Sequence, residues 1–187
     1  MKRSRESSNE SLEELWKKYQ KMEDKDKVFL DACREGDLEC VKRCLSLRQV
    51  NVEARDHEFG WSGIHWAAKN GHVDVVKVLI QTGAHVNAVD DFKRTALHRV
   101  AWTGHAEVVK VLIRNGTHVN AVQKQNCTAL HKAASSGHVD VVSILLKNGA
   151  ELNAVTKETY YSPCVDDTRS ALFLAAKYVV FERVQFE

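Results

Sequence analysis

The segment TALHRVAWTGHAEVVKVLIRNGTHVNAVQK, residues 95–124, sets the pattern of this chain of 187 residues. Two close copies flank it: SGIHWAAKNGHVDVVKVLIQTGAHVNAVDD at 62–91 and TALHKAASSGHVDVVSILLKNGAELNAVTK at 128–157. The three copies begin at 62, 95 and 128, which is a constant step of 33 residues. A fixed period of this length indicates an array of stacked supersecondary units that bury one continuous core.

Each copy is predicted to form two helices separated by a glycine. Gly104 is expected to end the first helix of the central copy in a left-handed conformation. The second helix, 106–114, is apolar on nearly every side and therefore needs neighbours on both sides. Because its valines give only a modest helix propensity, its stability is expected to come from packing between copies. Three glycines are expected to end the second helices, namely Gly83, Gly116 and Gly149.

These copies resemble ankyrin repeats, whose signature is T-P-L-H-x-A within two helices and a turn. The resemblance implies an all-α solenoid of stacked helix-turn-helix units with β-hairpin finger loops. It places ankyrin repeats over 27–156, with a cap repeat that has Gly36 as its break between helices. The expected units are the cap repeat 27–59 and regular repeats 60–92, 93–125 and 126–156.

The two ends of the chain depart from the repeat. Residues 1–26 form a charged segment with an amphipathic stripe, interpreted as a capping helix, with a disordered arm or a partner-binding helix as alternatives. Residues 157–187 are interpreted as an insertion followed by an incomplete fifth repeat. This ending suggests a truncated variant of a longer array, or an end that a partner completes.

The loops between repeats differ in length and in their tips. Asn51 to His65 spans three residues more than Asn87 to His98, so the first loop is expected to protrude further. At the tip, where the family has glycine, the next loop has Lys93, which disfavours a left-handed backbone and favours a different turn.

Composition and charge exclude several classes of protein. The formal net charge is only +2, which is too even for a nucleic-acid or anionic-membrane binder. No uncharged run is long enough to span a bilayer, and no secretory signal is evident. The five cysteines lack a C-x-x-C pair and are expected to be reduced. A cytoplasmic or nuclear protein is therefore expected.

The nine histidines favour structural roles over chemistry. Equivalent residues of stacked helices lie roughly 10 Å apart, which is too far to share a metal ion. His65, His98 and His131 are instead expected to bond the hydroxyl three residues earlier. The histidines that follow glycine, such as His72, are expected to bond local backbone groups. No catalytic or nucleotide-binding motif occurs, so we expect no enzyme, no metal and no cofactor.

Asn87, Asn120 and Asn153 recur at one position after the second helix. As turn asparagines, they would bond their own backbone. The resemblance adds a second role, because ankyrin-like proteins are recurrent substrates of asparaginyl hydroxylation at this position. Asn153 fits best, with Leu145 eight residues before it and Glu151 two residues before it.

The family's partner-facing surface comes from the finger tips and the exposed side of the first helix. Carried onto this chain, the resemblance selects Phe59, Trp61, Lys69, Asp91, Phe92, Arg94, Trp102, Lys124 and Gln125. Large aromatic side chains at these positions predict an exposed binding row. The alternatives are that Trp61 and Phe59 fold back onto their own loop and that Trp66 is buried between repeats.

These features predict a non-catalytic protein-protein interaction module that acts as a scaffold for a partner protein. The alternatives are a regulatory inhibitor or adaptor of a kinase or ubiquitin ligase complex, and a substrate of asparaginyl hydroxylation. We expect a monomer, unless the incomplete repeat self-associates. Neither nucleic acid nor membrane is expected as a partner.

Overall fold

The computed structural model describes residues 25–46, 50–124 and 126–152. Within them the chain forms eight α-helices arranged as four antiparallel pairs, with no strand longer than an isolated bridge between Arg55 and Ser62. The helices are α1 Lys25–Glu35, α2 Leu38–Ser46, α3 Gly63–Lys69, α4 Val73–Gln81, α5 Ala96–Thr103, α6 Ala106–Arg114, α7 Ala129–Ser135 and α8 Val139–Lys147.

The helix pairs stack in two parallel rows. The first helices α1, α3, α5 and α7 pack in chain order, and the second helices α2, α4, α6 and α8 do the same. In α6 the side chains of Val108, Val109 and Leu112 are fully buried. This helix packs on α5 and on both neighbours, α4 and α8, which confirms that its apolar sides are covered by adjacent units.

A capping box begins each first helix from α3 onward. The Thr95 hydroxyl lies 2.9 Å from Nδ1 of His98, and the backbone amide of Thr95 donates to the same nitrogen. Ser62 with His65 and Thr128 with His131 repeat this contact at 2.9 Å. The predicted bond between each histidine and the hydroxyl three residues earlier is therefore confirmed.

Glycines end the helices as the sequence predicts. Gly104 caps α5 in a left-handed conformation with φ of 85°. Gly36 separates α1 from α2 with φ of 80°, which is the break predicted for the cap repeat. The glycines after the second helices are also left-handed, with φ of 96° at Gly83, 82° at Gly116 and 84° at Gly149.

The histidines after the helix-breaking glycines connect neighbouring pairs. His72 Nε2 lies 3.0 Å from the carbonyl oxygen of Arg34, and His138 Nε2 lies 2.9 Å from that of Trp102. Each of these carbonyls belongs to the preceding pair. The expectation that these imidazoles serve local backbone groups is therefore wrong for His72 and His138, because stacking brings the preceding helix end within reach.

Most of the predicted N-terminal segment 1–26 and all of the segment 157–187 lie outside the described residues. α1 begins at Lys25, within the first of these segments. The boundaries assigned to the individual repeats remain predictions.

Candidate protein-binding surface

Three loops precede the first helices α3, α5 and α7, and each is closed by one backbone hydrogen bond. The amide of Asp56 donates to the Trp61 carbonyl at 2.9 Å, and the amide of Asp90 donates to the Arg94 carbonyl at 2.9 Å. The third loop closes from Gln123 to Cys127 at 3.1 Å. The predicted β-hairpin fingers are therefore tight turns, with no ladder among the described residues longer than the isolated bridge between Arg55 and Ser62.

The loop tips share one left-handed residue. Lys93 has φ of 58° and Asn126 has φ of 56°, close to the 67° of Gly60 in the first loop. The Lys93 amide donates to the Asp90 carbonyl at 2.9 Å, and the Asn126 amide donates to the Gln123 carbonyl at 3.0 Å. The expectation of a different turn at Lys93 is therefore wrong, because the closing hydrogen bonds hold the lysine in the conformation of the glycine.

The first loop is less extended than its sequence suggested. Glu53 Oε1 accepts the His85 amide at 2.7 Å, just as Asn87 Oδ1 accepts the His118 amide at 2.8 Å. Glu53, and not Asn51, therefore occupies the asparagine position. The closing bond joins residues five apart in the first loop and four apart in the others, so the loop is one residue longer, not three.

The recurring asparagines link neighbouring repeats. Asn87 Nδ2 donates to the Gly116 carbonyl at 3.1 Å, while its Oδ1 accepts the His118 amide. Asn120 makes the equivalent pair of bonds, to the Gly149 carbonyl at 2.9 Å and from the Glu151 amide at 2.9 Å. The expectation that they bond their own turn is therefore wrong, whereas hydroxylation remains a prediction. Asn153 lies outside the described residues.

Trp61 is buried, so its predicted exposure is wrong. Only 5% of Trp61 is accessible to solvent, and its ring packs 4.3 Å from that of Trp66 and 5.5 Å from that of Phe59. Phe59 and Trp66 are themselves half-buried. The alternative that Trp61 folds back onto its own loop is the correct one, because the aromatic side chains nearest to it cover it.

Phe92 and Trp102 are the large aromatic side chains that remain exposed among the described residues. Trp102 is 55% accessible and Phe92 is 40% accessible. The guanidinium of Arg94 lies 4.2 Å from the centre of the Phe92 ring, and Lys124 Nζ lies 5.3 Å from it. Asp91 and Lys124 are also exposed, while Gln125 lies outside the described residues.

A buried carboxylate organises the second loop. Asp90 Oδ2 accepts from Arg94 Nε at 2.7 Å and from a terminal nitrogen of Arg99 at 2.6 Å, and the Asp90 side chain is fully buried. Burial alone would raise the pKa of Asp90, but hydrogen bonds from the Arg94 amide and both guanidiniums bring this pKa below its ordinary value. Burial lowers the pKa of Arg99 to about 10, so it stays charged at neutral pH.

Sequence reasoning missed this cluster. Asp90 and Arg99 are nine residues apart on a loop and a helix, and the equivalent positions in the next repeat are Gln123 and Lys132. No repeating pattern therefore marks the pair. The one available signal is that Asp90 replaces a neutral residue of the next copy at a position that the fold buries.

Cations cover the aromatic rings along the first helices. Lys69 Nζ lies 5.1 Å from the centre of the Trp61 ring and 5.3 Å from that of Trp66. The Arg99 guanidinium covers the Trp61 ring at 3.8 Å, and that of Arg34 lies 5.5 Å from the Trp66 ring. We call the exposed side of α1, α3, α5 and α7, together with the three loops, the first-helix face.

A metal cluster, a disulfide and a bilayer-spanning helix each set requirements on the described residues. Across residues 25–46, 50–124 and 126–152, no three histidine, cysteine or acidic side chains are grouped to hold a metal ion. Their four cysteines form no disulfide. Among the helices that the structure describes, none combines the length and the apolar composition that crossing a bilayer requires.

Three curated proteins illustrate what the chain is similar to. Ankyrin repeat domain-containing protein 49 of Bos taurus is 41% identical over 45% of this chain and 36% of its own length. Protein phosphatase 1 regulatory subunit 27 of Homo sapiens is 38% identical over 35% of this chain and 42% of its own length. Palmitoyltransferase AKR1 of Candida glabrata is 35% identical over 43% of this chain and 9% of its own length.

These alignments span less than half of each relative, and the names of the relatives describe different activities. The likeness therefore lies in the repeats and not in a shared activity. A family model described as Ankyrin repeats (3 copies) matches residues 29–123, 87–156 and 118–186, which together cover most of the chain. Stacked helix pairs, capping boxes and glycine breaks agree with that match, and the array implies a protein-protein interaction module. The chain belongs to the ankyrin repeat family.

Proposed function

We propose that the chain is a non-catalytic module that binds a partner protein through the first-helix face. The observation that carries this proposal is the exposure of Trp102 and of Phe92, whose ring lies beside Arg94 and Lys124. Neither ring is buried in the core, whereas Trp61 and Trp66 pack on each other. Exposed aromatic clusters on folded domains are commonly covered by a partner, and tryptophan and arginine are enriched at interface hot spots.

The proposed mechanism is a preformed surface. Loop and helix are joined by the salt bridges from Asp90 to Arg94 and Arg99, and the loops are closed by backbone hydrogen bonds. His65 and His98 bond the carbonyls of Arg94 and Cys127 at 3.0 Å, which ties each first helix to the next loop. Little ordering entropy is therefore lost when a partner docks on these elements.

Site-specific photo-cross-linking tests the proposal. A photoreactive amino acid is introduced at Trp102, and in a matched variant at Lys110 on the opposite row of helices, in cells that express the chain. We expect a discrete protein adduct from position 102 that is absent from position 110. The proposal is wrong if the same adducts form at both positions, or if position 102 gives none.

The alternative is a regulatory inhibitor or adaptor in an enzyme complex, such as one containing a kinase or a ubiquitin ligase. The similarity to protein phosphatase 1 regulatory subunit 27 supports a regulatory role and extends the class of enzyme to phosphatases. This alternative predicts that the adduct at position 102 contains an enzyme whose activity changes when the purified chain is added. An adduct without an enzyme contradicts it.

Asparaginyl hydroxylation is retained as a separate proposal for Asn153, Asn87 and Asn120. In the described residues, Asn87 and Asn120 use both ends of the side-chain amide to hold the next repeat. A modifying enzyme would have to open these bonds, so a slow and partial reaction is expected. Peptide mass spectrometry of the chain purified from its source tests this, because each hydroxylation adds one oxygen.

Cytoplasmic or nuclear residence and a monomeric state are further proposals. The even charge balance of the chain supports a protein partner over nucleic acid or an anionic membrane. Light scattering on the purified chain tests the monomeric state. A dimer would instead favour self-association of the incomplete repeat in the segment 157–187.

A further inference from the structure

Four lysines among the described residues show two different kinds of contact. On the second helices, Lys77 pairs with Asp74 at 2.9 Å and Lys110 pairs with Glu107 at 2.6 Å. On the first-helix face, Lys69 and Lys124 lie over aromatic rings, and no ion pair among the described residues includes either of them. Lys69 and Lys124 therefore lack the carboxylate partner that Lys77 and Lys110 have, although Arg34 on the first-helix face pairs with Asp31 at 2.9 Å.

The carboxylates near Lys69 and Lys124 do not balance the positive charge of the first-helix face. Asp90 is already shared by Arg94 and Arg99, so that this trio keeps one net positive charge. Lys93 at the loop tip adds another exposed cation. Asp56, Glu58 and Asp91 are further acidic side chains on the same loops, and they are outnumbered by the cations Arg55, Lys69, Lys93 and Lys124.

We propose that the first-helix face binds an acidic segment of the partner protein. Its carboxylates face Lys69 and Lys124, and one of its apolar side chains packs on the exposed ring of Phe92 or Trp102. This inference rests on the proposed protein-binding function and specifies the chemistry of the partner.

Charge complementarity and the exposed rings together favour an acidic segment over a nucleic acid. A phosphate backbone would need a denser set of cations than a chain with a formal net charge of +2 presents. Each carboxylate along a peptide can pair with one separate cation. Such pairs steer the encounter and fix the register of the complex. The rings of Phe92 and Trp102 then supply the apolar contact that gives affinity.

Fluorescence anisotropy with a defined probe tests the inference on the full chain. The probe is a fluorescein-labelled peptide in which glutamates flank a central phenylalanine and leucine. Two matched peptides carry glutamine or lysine in place of every glutamate. We expect the glutamate peptide to bind about tenfold more tightly than the glutamine peptide, and the lysine peptide to bind least.

A pair of double variants controls for net charge. K69Q/K124Q removes two cations from the first-helix face, and K77Q/K110Q removes two from the second helices. We expect the first to weaken binding of the glutamate peptide by about tenfold and the second to change it by less than about twofold. Thermal melting of both variants establishes that they remain folded.

Three results would overturn the inference. The first is equal binding of all three peptides, or binding of none. The second is an equal loss in both double variants, which would indicate attraction to total charge. The third is that single-stranded RNA of equal length displaces the glutamate peptide. In each case a cross-linked adduct at position 102 would still support the proposed function, so the two can fail separately.

Discussion

The imidazole of His98 joins two repeats, because its Nε2 lies 3.0 Å from the carbonyl oxygen of Cys127, 29 residues further along the chain. On the other side of the ring, Nδ1 accepts the backbone amide of Thr95. A carbonyl can only accept a hydrogen bond, so Nε2 carries the proton and Nδ1 does not. His65 makes the same contacts with the Arg94 carbonyl and the Ser62 amide.

Protonation of these histidines should therefore oppose folding. Burial lowers the pKa of His65 and His98 to about 4 each, from an ordinary value of 6.5. Between these values the unfolded chain binds more protons than the folded chain, so the free energy of unfolding falls as the pH falls from 6.5 towards 4. We expect a loss of about 1.5 kcal/mol per imidazole between pH 6.5 and pH 5, measured by denaturant unfolding.

A single variant separates this effect from other titrations. H98Q removes one low-pKa imidazole, so the loss of stability over the same interval should be smaller by about 1.5 kcal/mol than in the original chain. The absolute stability of H98Q should also be lower at pH 7, since the bond between repeats is weakened. A pH dependence as steep as in the original chain would contradict the assignment to His98.

Replacement by alanine should mainly lower stability at Trp61 and mainly weaken partner binding at Trp102. W61A removes a buried ring and is expected to lower the free energy of unfolding by about 3 kcal/mol. W102A removes a ring that is 55% exposed and should change stability by less than about 0.5 kcal/mol. W102A should nevertheless weaken binding of the partner. If W102A also unfolds the chain, the ring has a structural role and the binding proposal loses its main support.

The repeated features of the fold could be predicted from the sequence, and the features specific to one repeat could not. Helix breaks, capping boxes and the packing of α6 follow from patterns that occur in every copy. The burial of Trp61 depends on Trp66 and Arg99, which occur in single copies and meet only after stacking. The same holds for the salt bridge between Asp90 and Arg99. For the loops, counting from Asn51 failed because Glu53 makes the bond that asparagine makes elsewhere.

The buried carboxylate of Asp90 should be needed only while its arginines are present. D90Q leaves Arg99 buried without a counter-charge and is expected to cost about 3 kcal/mol. The double variant D90Q/R99K copies the residues of the next repeat, Gln123 and Lys132, and a lysine can extend its charge towards solvent. Denaturant unfolding should therefore give a smaller loss for the double variant than for D90Q. If the loss in D90Q/R99K equals the sum of the losses in D90Q and R99K, the two side chains do not depend on each other.

Lys93 should be replaceable by glycine with a gain in stability. A lysine with φ of 58° is in a strained conformation that glycine adopts freely, so K93G is expected to raise the free energy of unfolding by about 0.5 kcal/mol. Asparagine tolerates this region better than lysine, and K93N should recover part of the gain. Because K93G and K93N remove the same charge, a difference in their free energies of unfolding reflects the cost of the left-handed backbone conformation. A loss of stability in K93G would mean that the lysine side chain makes a stabilising contact.

Two glycines with nearly equal backbone angles should differ in their tolerance of alanine. Gly104 has φ of 85° and Gly116 has φ of 82°, so G104A and G116A carry the same backbone strain, about 1 kcal/mol or more. A Cβ atom at Gly104 would lie 2.5 Å from Nδ1 of His138, whereas one at Gly116 would meet nothing within 4 Å.

The His138 ring cannot move away from this contact without cost, because its Nε2 bonds the Trp102 carbonyl at 2.9 Å. We therefore expect G104A to lose about 1 kcal/mol more than G116A in denaturant unfolding, since that bond must lengthen or break. Comparing G104A/H138A with H138A decides the cause. Without the imidazole, the loss of stability due to G104A should fall to that of G116A. Equal losses in G104A and G116A would show that the stacked interface accommodates a methyl group, and that glycine is required at position 104 for its backbone conformation alone.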